Sequence, residues 1–536
     1  MHPRRSLTLA VLVTLIGLTP IAVDVVSPRA AGAAVFPQTI WVSQDWRTEP
    51  PTPGGSRSGE QLTMTPDGNF VVFTSSASNL AAGASFDKQI YVFDVARRNI
   101  EMVSVSSDEV KANDEATHPD ISDDGRYVVF QSDASNLIGA GQDTNNVRDV
   151  FRRDRALGTT ERVSIPEGGG QTTNFSFGPS ISDDGNIVAF VSRSPGIVSG
   201  KTSVADDVIV RDISAGTNEW ISFKPNPPSG NLTGGTGPEL SPTGRFVAFS
   251  ANTDFTVDNG TPNSFGDIYL RDRQTGSIEQ ISLSSSETEG NSAGSLSIES
   301  SISESGRYVV FRSGAHDLVP DDTAYSDVFL RDRELTTTVR LSQVDGSTGP
   351  NGDSGHPSLT PDGSVVAYHT YAQNLLPPGE VGFAQVLRHD LATGTRTRVS
   401  HSYTGSLPNA ASFNPIISAD GSRVAFMSHA KNILPGDTNN TSDVFLRDLG
   451  NAFIVSEWQL YGSCGGGIHA VNPSQCQSDP VNSATGSFTH QETDVVLPGI
   501  GLPFGFARFY NSADPSDGPL GVGWTHSFNV SLDIDT

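Results

Sequence analysis

The sequence unit ISDDGRYVVFQSDASNL at residues 121–137 recurs along the chain, and this repetition constrains the fold more than any other feature. Its turn glycine returns at seven positions: Gly68, Gly125, Gly185, Gly244, Gly306, Gly363 and Gly421. Successive glycines are 57, 60, 59, 62, 57 and 58 residues apart. A fixed period in this range indicates a repeat architecture in which each repeat is one supersecondary unit.

Each repeat carries signals for four short strands. In the second repeat a short apolar segment precedes the Asp-Gly turn, and strands follow at residues 127–130, 149–154 and 161–164. Their β-branched and aromatic residues favour strands, and the glycine supplies the positive φ of a tight turn. The pattern predicts an all-β, seven-bladed propeller over residues 39–456. The alternative, a β-solenoid, usually has shorter coils and does not need four antiparallel strands per unit.

The repeated letters also point to a family. The pattern S-P-D-G-[RKN]-x-[VI]-[AV]-F, followed by D-[VI]-[FY]-[LV]-x-D and a T-G turn, resembles the TolB-like propeller repeat, which is related in shape to WD-repeat propellers. The resemblance covers roughly residues 39–456 and implies a protein that binds proteins or peptides. Some members carry a hydrolase domain, and none is recognisable in this sequence.

Ring closure is left open by the sequence. Residues 39–43 match the fourth-strand pattern before the first complete repeat, and residues 453–456 match it after the last. A strand from one terminus completes the blade at the other in a closed ring, so either segment qualifies as the outer strand of the last blade.

The net charge argues against one class of partner. The chain has 536 residues and a net charge of −26, and an acidic surface repels phosphate backbones, so no nucleic-acid partner is expected.

Residues 1–34 read as a signal peptide, with a basic start, an apolar segment at residues 7–18 and small residues at 30–34. The mature protein is therefore predicted to be secreted or at the cell surface, without a membrane span; an uncleaved anchor is the alternative. The sequence indicates no oligomeric state.

Propeller topology predicts a binding face. Turns between strands one and two, and between three and four, are short, whereas loops between strands two and three and the crossovers between blades are long and lie together at the other end. Long loops on a rigid scaffold carry function more often than the scaffold does. An Asn recurs in the crossovers at residues 113, 174, 231, 291, 351 and 409, where a local Asx-turn is the favoured interpretation.

Two long loops carry the same acidic motif. Their oxygen side chains are Asp143, Asn145 and Asp149 in one loop and Asp437, Asn439 and Asp443 in the other. Calcium takes six to eight oxygen ligands, so each loop is a candidate calcium site, although the spacing is not that of an EF-hand and Asp and Asn also form turns readily. The protein requires no cofactor on this reading, and calcium is the single candidate.

The sequence shows no specific catalytic motif. The motifs H-E-x-x-H and G-x-x-x-x-G-K-[ST] are absent, and the 11 histidines are scattered, with His118 and His356 before inner-strand prolines. The aromatic residue that recurs in the second strand is expected to pack between blades: Phe73, Phe130, Phe190, Phe249, Phe311, Tyr368 and Phe426.

The C-terminal part differs in composition. Residues 457–478 form a Gly-rich linker with Cys464 and Cys476, which in an exported chain predict a disulfide. Residues 479–536 contain DPVN, RFYNS and GPLG motifs and resemble the opening segment of Rhs/YD-repeat proteins, which are secreted or deliver toxins. The resemblance implies a following β-shell, yet no YD repeat is present, so the sequence predicts a fragment or a truncated gene.

Together these features predict a binding protein whose propeller recognises a protein or cell-surface partner, attached to the start of an Rhs-type region. An extracellular hydrolase or lyase with an active site at the propeller axis is the alternative. Converging His, Arg and carboxylate side chains at the axis would favour the enzyme, whereas an axis lined by backbone and small polar side chains would favour the binding protein.

Overall fold

The computed structural model describes residues 38–48, 51–139, 141–225, 232–255, 262–290, 298–320, 322, 324–344, 349–375, 382–450, 489–497, 504–511, 517–518, 521–522 and 524–526. The chain divides into two compact units, Val35–Ala452 and a second that contains the C-terminal strands. The predicted signal peptide, the Gly-rich linker and the Cys464–Cys476 bridge lie outside the described residues and stay predictions.

Seven four-stranded antiparallel sheets confirm the predicted seven-bladed propeller. The inner strands of blades 1 to 7 are Ser58–Met64, Ala116–Ile121, Ser176–Ile181, Thr236–Leu240, Ile298–Ile302, Ser354–Leu359 and Ser412–Ile417. The second strands are Phe70–Ser75, Tyr127–Ser132, Ile187–Ser192, Phe246–Thr253, Tyr308–Ser313, Val365–Thr370 and Arg423–Ser428. The third strands are Gln89–Asp94, Asp149–Asp154, Asp207–Asp212, Pro262–Asp272, Asp327–Asp332, Gln385–Asp390 and Asp443–Asp448. The fourth strands are Asn99–Met102, Thr159–Arg162, Thr217–Trp220, Ile278–Gln280, Thr337–Arg340, Arg396–Arg398 and, in blade 7, Gln38–Trp41.

The N-terminal strand closes the ring. Gln38–Trp41 pairs antiparallel with Asp443–Asp448, the third strand of the last blade. The contact continues past the strand, because the Val42 N–H donates to the Val444 carbonyl at 2.8 Å and Ser43 Oγ donates to Asp443 Oδ1 at 2.7 Å. Of the two segments that the sequence left open, the N-terminal one forms the outer strand of the last blade, and residues 453–456 lie outside the described residues.

The Asp-Gly turns form as their sequence predicts. In blade 2, Gly125 has a φ of 70°. The Asp124 carboxylate accepts hydrogen bonds from Ser122 Oγ at 2.7 Å and from the Arg126 N–H at 2.9 Å, which closes the turn. A Cβ on Gly125 would come within 2.5 Å of the Phe70 ring of the preceding blade. The glycine is therefore required both by its backbone conformation and by the close approach of the neighbouring blade.

The core lies between blades. The recurring aromatic residue of the second strand is fully buried in all seven blades. Phe130 of blade 2 packs in one cluster with Val72 and Val92 of blade 1. The predicted inter-blade packing is thus confirmed, and each such Phe stabilises the ring by about 1.5–3 kcal/mol through burial.

Short additional elements occur only within long loops of the described propeller. The strand pairs Gln44–Asp45 with Thr52–Pro53 and Phe223–Lys224 with Leu232–Thr233 lie in crossovers, and a 3-10 helix spans Gln373–Leu375. No helix in the described part of the chain is both long and apolar enough to cross a membrane.

The C-terminal unit is a small antiparallel sheet. Its central strand, Phe504–Asn511, pairs antiparallel with Thr489–Leu497 on one side and with Trp524–His526 on the other. A two-stranded pair, Asp517–Gly518 with Gly521–Val522, accompanies it.

Candidate functional site

One hydrogen-bond arrangement is repeated in every blade. An Asp or Gln that lies five residues before the last residue of the third strand accepts a hydrogen bond from the serine that follows the fourth strand, and that serine accepts the N–H of the next third-strand residue. In blade 2, Ser164 Oγ donates to Asp149 Oδ1 at 2.6 Å and accepts the Val150 N–H at 3.0 Å. The seven pairs are Gln89–Ser104, Asp149–Ser164, Asp207–Ser222, Asp267–Ser282, Asp327–Ser342, Gln385–Ser400 and Asp443–Ser43. Two predicted calcium ligands, Asp149 and Asp443, thus fix the third strand to the fourth.

In blade 2 a guanidinium lies between the predicted calcium ligands. Arg162 Nη2 is 3.2 Å from Asp143 Oδ2, and Arg162 Nε is 3.3 Å from Asp149 Oδ2. Asn145 Nδ2 donates to the same Asp149 oxygen at 3.0 Å. All three charged side chains are buried. The protein's own cation therefore occupies the place that calcium would take.

Two further blades also pair the third-strand aspartate with a buried cation. In blade 5, Arg340 Nη1 lies 2.8 Å from Asp322 Oδ1 and 3.6 Å from Asp327 Oδ2. In blade 3, the buried Lys201 ammonium forms an ion pair with Asp207. A buried cation beneath the long loop is thus a recurring structural element.

Blade 7 lacks this cation. Trp41 precedes Val42 and Ser43 as Arg162 precedes Val163 and Ser164, and it pairs with the third residue of its third strand in the same register as Arg162. Asp443 accepts hydrogen bonds from Ser43 and, at 2.9 Å, from Asn439 Nδ2. Burial raises the pKa of Asp443 to about 7, and those hydrogen bonds oppose the shift. Burial also raises the pKa of Asp437.

Metal binding at these loops stays a prediction. Within the described residues no group of three or more His, Cys, Asp and Glu side chains is placed to hold a metal ion. The blade 2 residues do not fit a calcium ion, because Arg162 already neutralises both carboxylates. The blade 7 residues keep two carboxylates next to an uncharged Trp41, so the calcium hypothesis is now confined to Asp437, Asn439 and Asp443.

The crossover asparagines do more than shape their own turn. Asn113 Oδ1 accepts the Ser135 N–H at 2.9 Å, while the Asn113 N–H donates to Asn136 Oδ1 at 3.0 Å. Asn409 makes the equivalent pair of bonds in blade 7. The prediction of a purely local Asx-turn is wrong at these positions, because the asparagine ties the crossover to the long loop of the next blade. Asn231 and Asn291 lie outside the described residues.

Exposed aromatic side chains gather on one face of the propeller. Among the described residues, the Phe and Tyr side chains with 40–77% of their surface exposed all lie in crossovers or in loops between second and third strands: Phe86, Phe175, Tyr325, Tyr371, Phe383 and Tyr403. We call this the long-loop face. The exposed apolar residues of the opposite face are the leucines Leu157 and Leu335.

The inner strands share an irregular position near the long-loop end. Four residues there have positive φ although they are not glycine: His118 (53°), Glu299 (54°), His356 (48°) and Asn414 (50°). Blades 3 and 4 carry Gly178 and Gly237 at the equivalent position. The strand register shifts around this position in blades 2 to 7, as expected for a bulge.

Glu299 and His356 form a pair at this position. Glu299 Oε2 accepts the His356 N–H at 2.7 Å, and Glu299 Oε1 lies 3.2 Å from His356 Nε2. Arg312 Nη1 is 3.6 Å from the same carboxylate. Burial lowers the pKa of His356, while Glu299 acts in the opposite direction.

An aromatic cluster adjoins the pair. The ring of His369 lies 5.1 Å from that of His356 and 5.4 Å from that of Phe413, between centroids. Tyr371 lies 5.8 Å from Phe413. Burial, with contributions from His356 and Arg312, lowers the pKa of His369 to about 3, so this imidazole is neutral at ordinary pH. The buried Nδ1 atom of His369 has no hydrogen-bond partner among the described residues.

Carboxylates line the channel further toward the short-turn end. Asp120 of an inner strand accepts the Ile181 N–H at 2.8 Å and the Thr63 hydroxyl at 3.1 Å, which ties three blades together. Burial raises the pKa of both Asp120 and Glu239, and Asp120 adds to the effect on Glu239. Burial and neighbouring carboxylates raise the pKa of Asp183 to about 6. The axis therefore carries ionisable groups as well as backbone.

The chain is similar to one family model and, at low identity, to several solved structures. Residues 478–536 match a family model described as a domain of unknown function, DUF6531. No curated protein matches the chain. Among solved structures, a putative TolB from Agrobacterium tumefaciens is similar at 16% identity, with a TM-score of 0.36, over 67% of this chain and 97% of that one.

Two other solved structures are similar to a comparable degree. The β-propeller domain of the Trilobed protease from Pyrococcus furiosus is 9% identical over 74% of this chain and 95% of that one, with a TM-score of 0.45. Oligogalacturonate lyase from Vibrio parahaemolyticus is 12% identical over 75% of this chain and 92% of that one, with a TM-score of 0.42. These likenesses concern the propeller fold alone.

Proposed function

We propose that this chain is a secreted or cell-surface binding protein whose long-loop face recognises a protein or surface partner. The observation that carries the proposal is the confinement of exposed Phe and Tyr side chains to that face. Aromatic side chains are enriched among the residues that dominate binding energy at interfaces. The crossovers and long loops that present Tyr371, Phe383 and Tyr403 are held by reciprocal asparagine bonds, so this part of the face is built on a rigid support.

The C-terminal segment supports a delivery or display context. Its DPVN and RFYNS motifs resemble the start of an Rhs-type region, and residues 478–536 match the DUF6531 model. In the proposal this segment joins the propeller to a surface-attached or toxin-delivering assembly. Export follows from the predicted signal peptide.

The proposal is tested by substituting aromatic residues on the long-loop face. Fluorescently labelled full-length protein is titrated onto intact cells of the organism that encodes it and of unrelated species. The triple variant Tyr371→Ser, Phe383→Ser, Tyr403→Ser is expected to lose at least tenfold in affinity, because it removes aromatic contact area. The matched control Leu157→Ser, Leu335→Ser changes the opposite face and is expected to bind as the wild type does. Equal losses in both variants, or no cell binding at all, contradict the proposal.

A second candidate function is favoured by one observation. His356, Glu299 and Arg312 converge near the axis, which is the arrangement expected for an extracellular hydrolase or lyase. A histidine held by a carboxylate is a common general base. Turnover of polysaccharide or ester substrates that disappears in His356→Ala, with the fold intact, would establish this function, and its absence across such substrates would remove it.

A further inference from the structure

Three neighbouring blades place large polar side chains in a backbone conformation that glycine adopts at lower cost. Glu299, His356 and Asn414 occupy the bulge position of blades 5, 6 and 7 with φ values between 48° and 54°. Blades 3 and 4 have Gly178 and Gly237 there, so the fold accepts glycine. Non-glycine residues with positive φ store strain, which is commonly retained at functional sites. We call Glu299, His356 and Asn414 the polar arc.

The polar arc faces open space at the long-loop end of the channel. It lies on the inner strands, two residues after the long-loop end in blades 6 and 7. A Cβ added to Gly178 or Gly237 would meet no atom within 4 Å. With seven blades, blades 3 and 4 lie across the axis from blades 6 and 7. The channel mouth therefore has an open side opposite a wall of polar side chains.

This wall offers hydrogen-bonding groups with little net charge. Glu299 is matched by Arg312 at 3.6 Å. The pKa of His356 is lowered and that of His369 is about 3, which leaves both imidazoles neutral at pH 7. Asn414 Nδ2 donates to the Glu60 carbonyl at 3.1 Å, and its amide oxygen bonds to no described residue. A strongly charged ligand thus finds no uncompensated counter-charge on the arc.

Aromatic surface stands beside these groups. Tyr371 is 47% exposed and lies 5.8 Å from Phe413, between ring centroids. Apolar faces next to a few placed polar groups are typical of small-ligand sites. Rings that carry hydroxyl groups present both surfaces at once, because their C–H faces pack on aromatic rings while their hydroxyls bond to carboxylate, amide and imidazole groups.

We infer that the polar arc, with Tyr371 and Phe413, is a binding site for an uncharged saccharide unit of a surface glycan. The inference rests on the proposed binding role of the long-loop face and names the ligand class. It gives a role to Glu299, His356 and Asn414, which stand where blades 3 and 4 have glycine.

The test combines binding and stability. Full-length protein is screened on an array of neutral and acidic glycans, and the strongest neutral glycan is titrated by calorimetry. His356→Gly is expected to lose at least tenfold in affinity, and Glu299→Gln to weaken binding as well. Because glycine relieves the positive φ, the thermal unfolding midpoint of His356→Gly should stay unchanged or rise by about 1–2 °C. The matched control is His118→Gly, the same strained position in blade 2, which should keep wild-type affinity.

Three results would overturn the inference: no neutral glycan binds, His356→Gly binds as well as the wild type, or His118→Gly loses as much affinity as His356→Gly. These outcomes are separable from failure of the proposed function. Cell binding that depends on Phe383 and Tyr403 but is unaffected by His356→Gly keeps the binding role and removes the saccharide site.

Discussion

The long loops of blades 2 and 7 carry the same D-T-N-N motif with an Asp six residues after its first residue, yet they form different electrostatic environments. In blade 2, Arg162 bridges Asp143 and Asp149. In blade 7, the equivalent position belongs to the N-terminal strand and holds Trp41. The difference shows that a motif defines a cation site only together with residues that the fold brings to it, here from a strand some 400 residues away in sequence.

The largest expected effect comes from removing the blade 2 cation. Arg162→Met should lower the free energy of unfolding by about 3–5 kcal/mol, because two buried carboxylates lose their partner. Arg148→Met breaks the partly exposed pair of Arg148 with Asp133 in the same blade and should cost about 0–1 kcal/mol. Chemical denaturation of both variants measures the difference. Similar losses would mean that Arg162 does not bridge the carboxylates in solution.

Calcium should bind to one of the two loops and not to the other. We expect one calcium ion at Asp437, Asn439 and Asp443, and none in the blade 2 loop, where Arg162 competes. At a hundredfold excess over its dissociation constant, the ion would stabilise the fold by about 2.7 kcal/mol. Titration calorimetry should give one site in the wild type, weakened in Asp443→Ala and kept in Asp143→Ala. A stoichiometry of zero or two would count against this assignment.

The same serine substitution should cost different amounts in the two blades. Ser43→Ala removes one of the two side-chain hydrogen bonds described for Asp443 and leaves the bond from Asn439, and is expected to cost about 1–2 kcal/mol. Ser164→Ala should cost less, because Asp149 keeps Thr172 and Arg162. Urea unfolding curves of the two variants report the order. A larger loss of unfolding free energy in Ser164→Ala than in Ser43→Ala would contradict this difference between the blades.

Much of the fold was readable from the sequence because each blade repeats its own local signals. The seven turn glycines, the buried aromatic of each second strand and the four strand signals per repeat all appear in the structure. The segment that closes the ring could not be predicted, since residues 39–43 and 453–456 carry equivalent strand signals. Only the pairing with Asp443–Asp448 identifies the N-terminal segment as the closing strand.

The site was less predictable for a physical reason. The role of Arg162 depends on which side chains meet under a loop, and nothing in the D-T-N-N motif encodes that. The bulge position of the inner strand is marked in the sequence, because Gly178, Gly237, His356 and Asn414 each precede a proline at one repeat position. Glycine in some repeats and asparagine in another, at the same repeat position, is typical of a backbone with positive φ.

The pH dependence of stability tests the difference between blades 2 and 7 most directly. The folded-state pKa of Asp443 is about 7, above its value of 3.8 in the unfolded chain, so its contribution to stability is complete below pH 3.8 and is lost as pH rises toward 7. Asp443→Asn should remove about 1.4 kcal/mol of the fall in unfolding free energy between pH 5 and 6. Blades 1 and 6 already use the neutral Gln89 and Gln385 at this position. Asp149→Asn should instead destabilise at every pH, because Arg162 loses a carboxylate. If the unfolding free energies of the two variants depend on pH in the same way, blades 2 and 7 do not differ electrostatically as described.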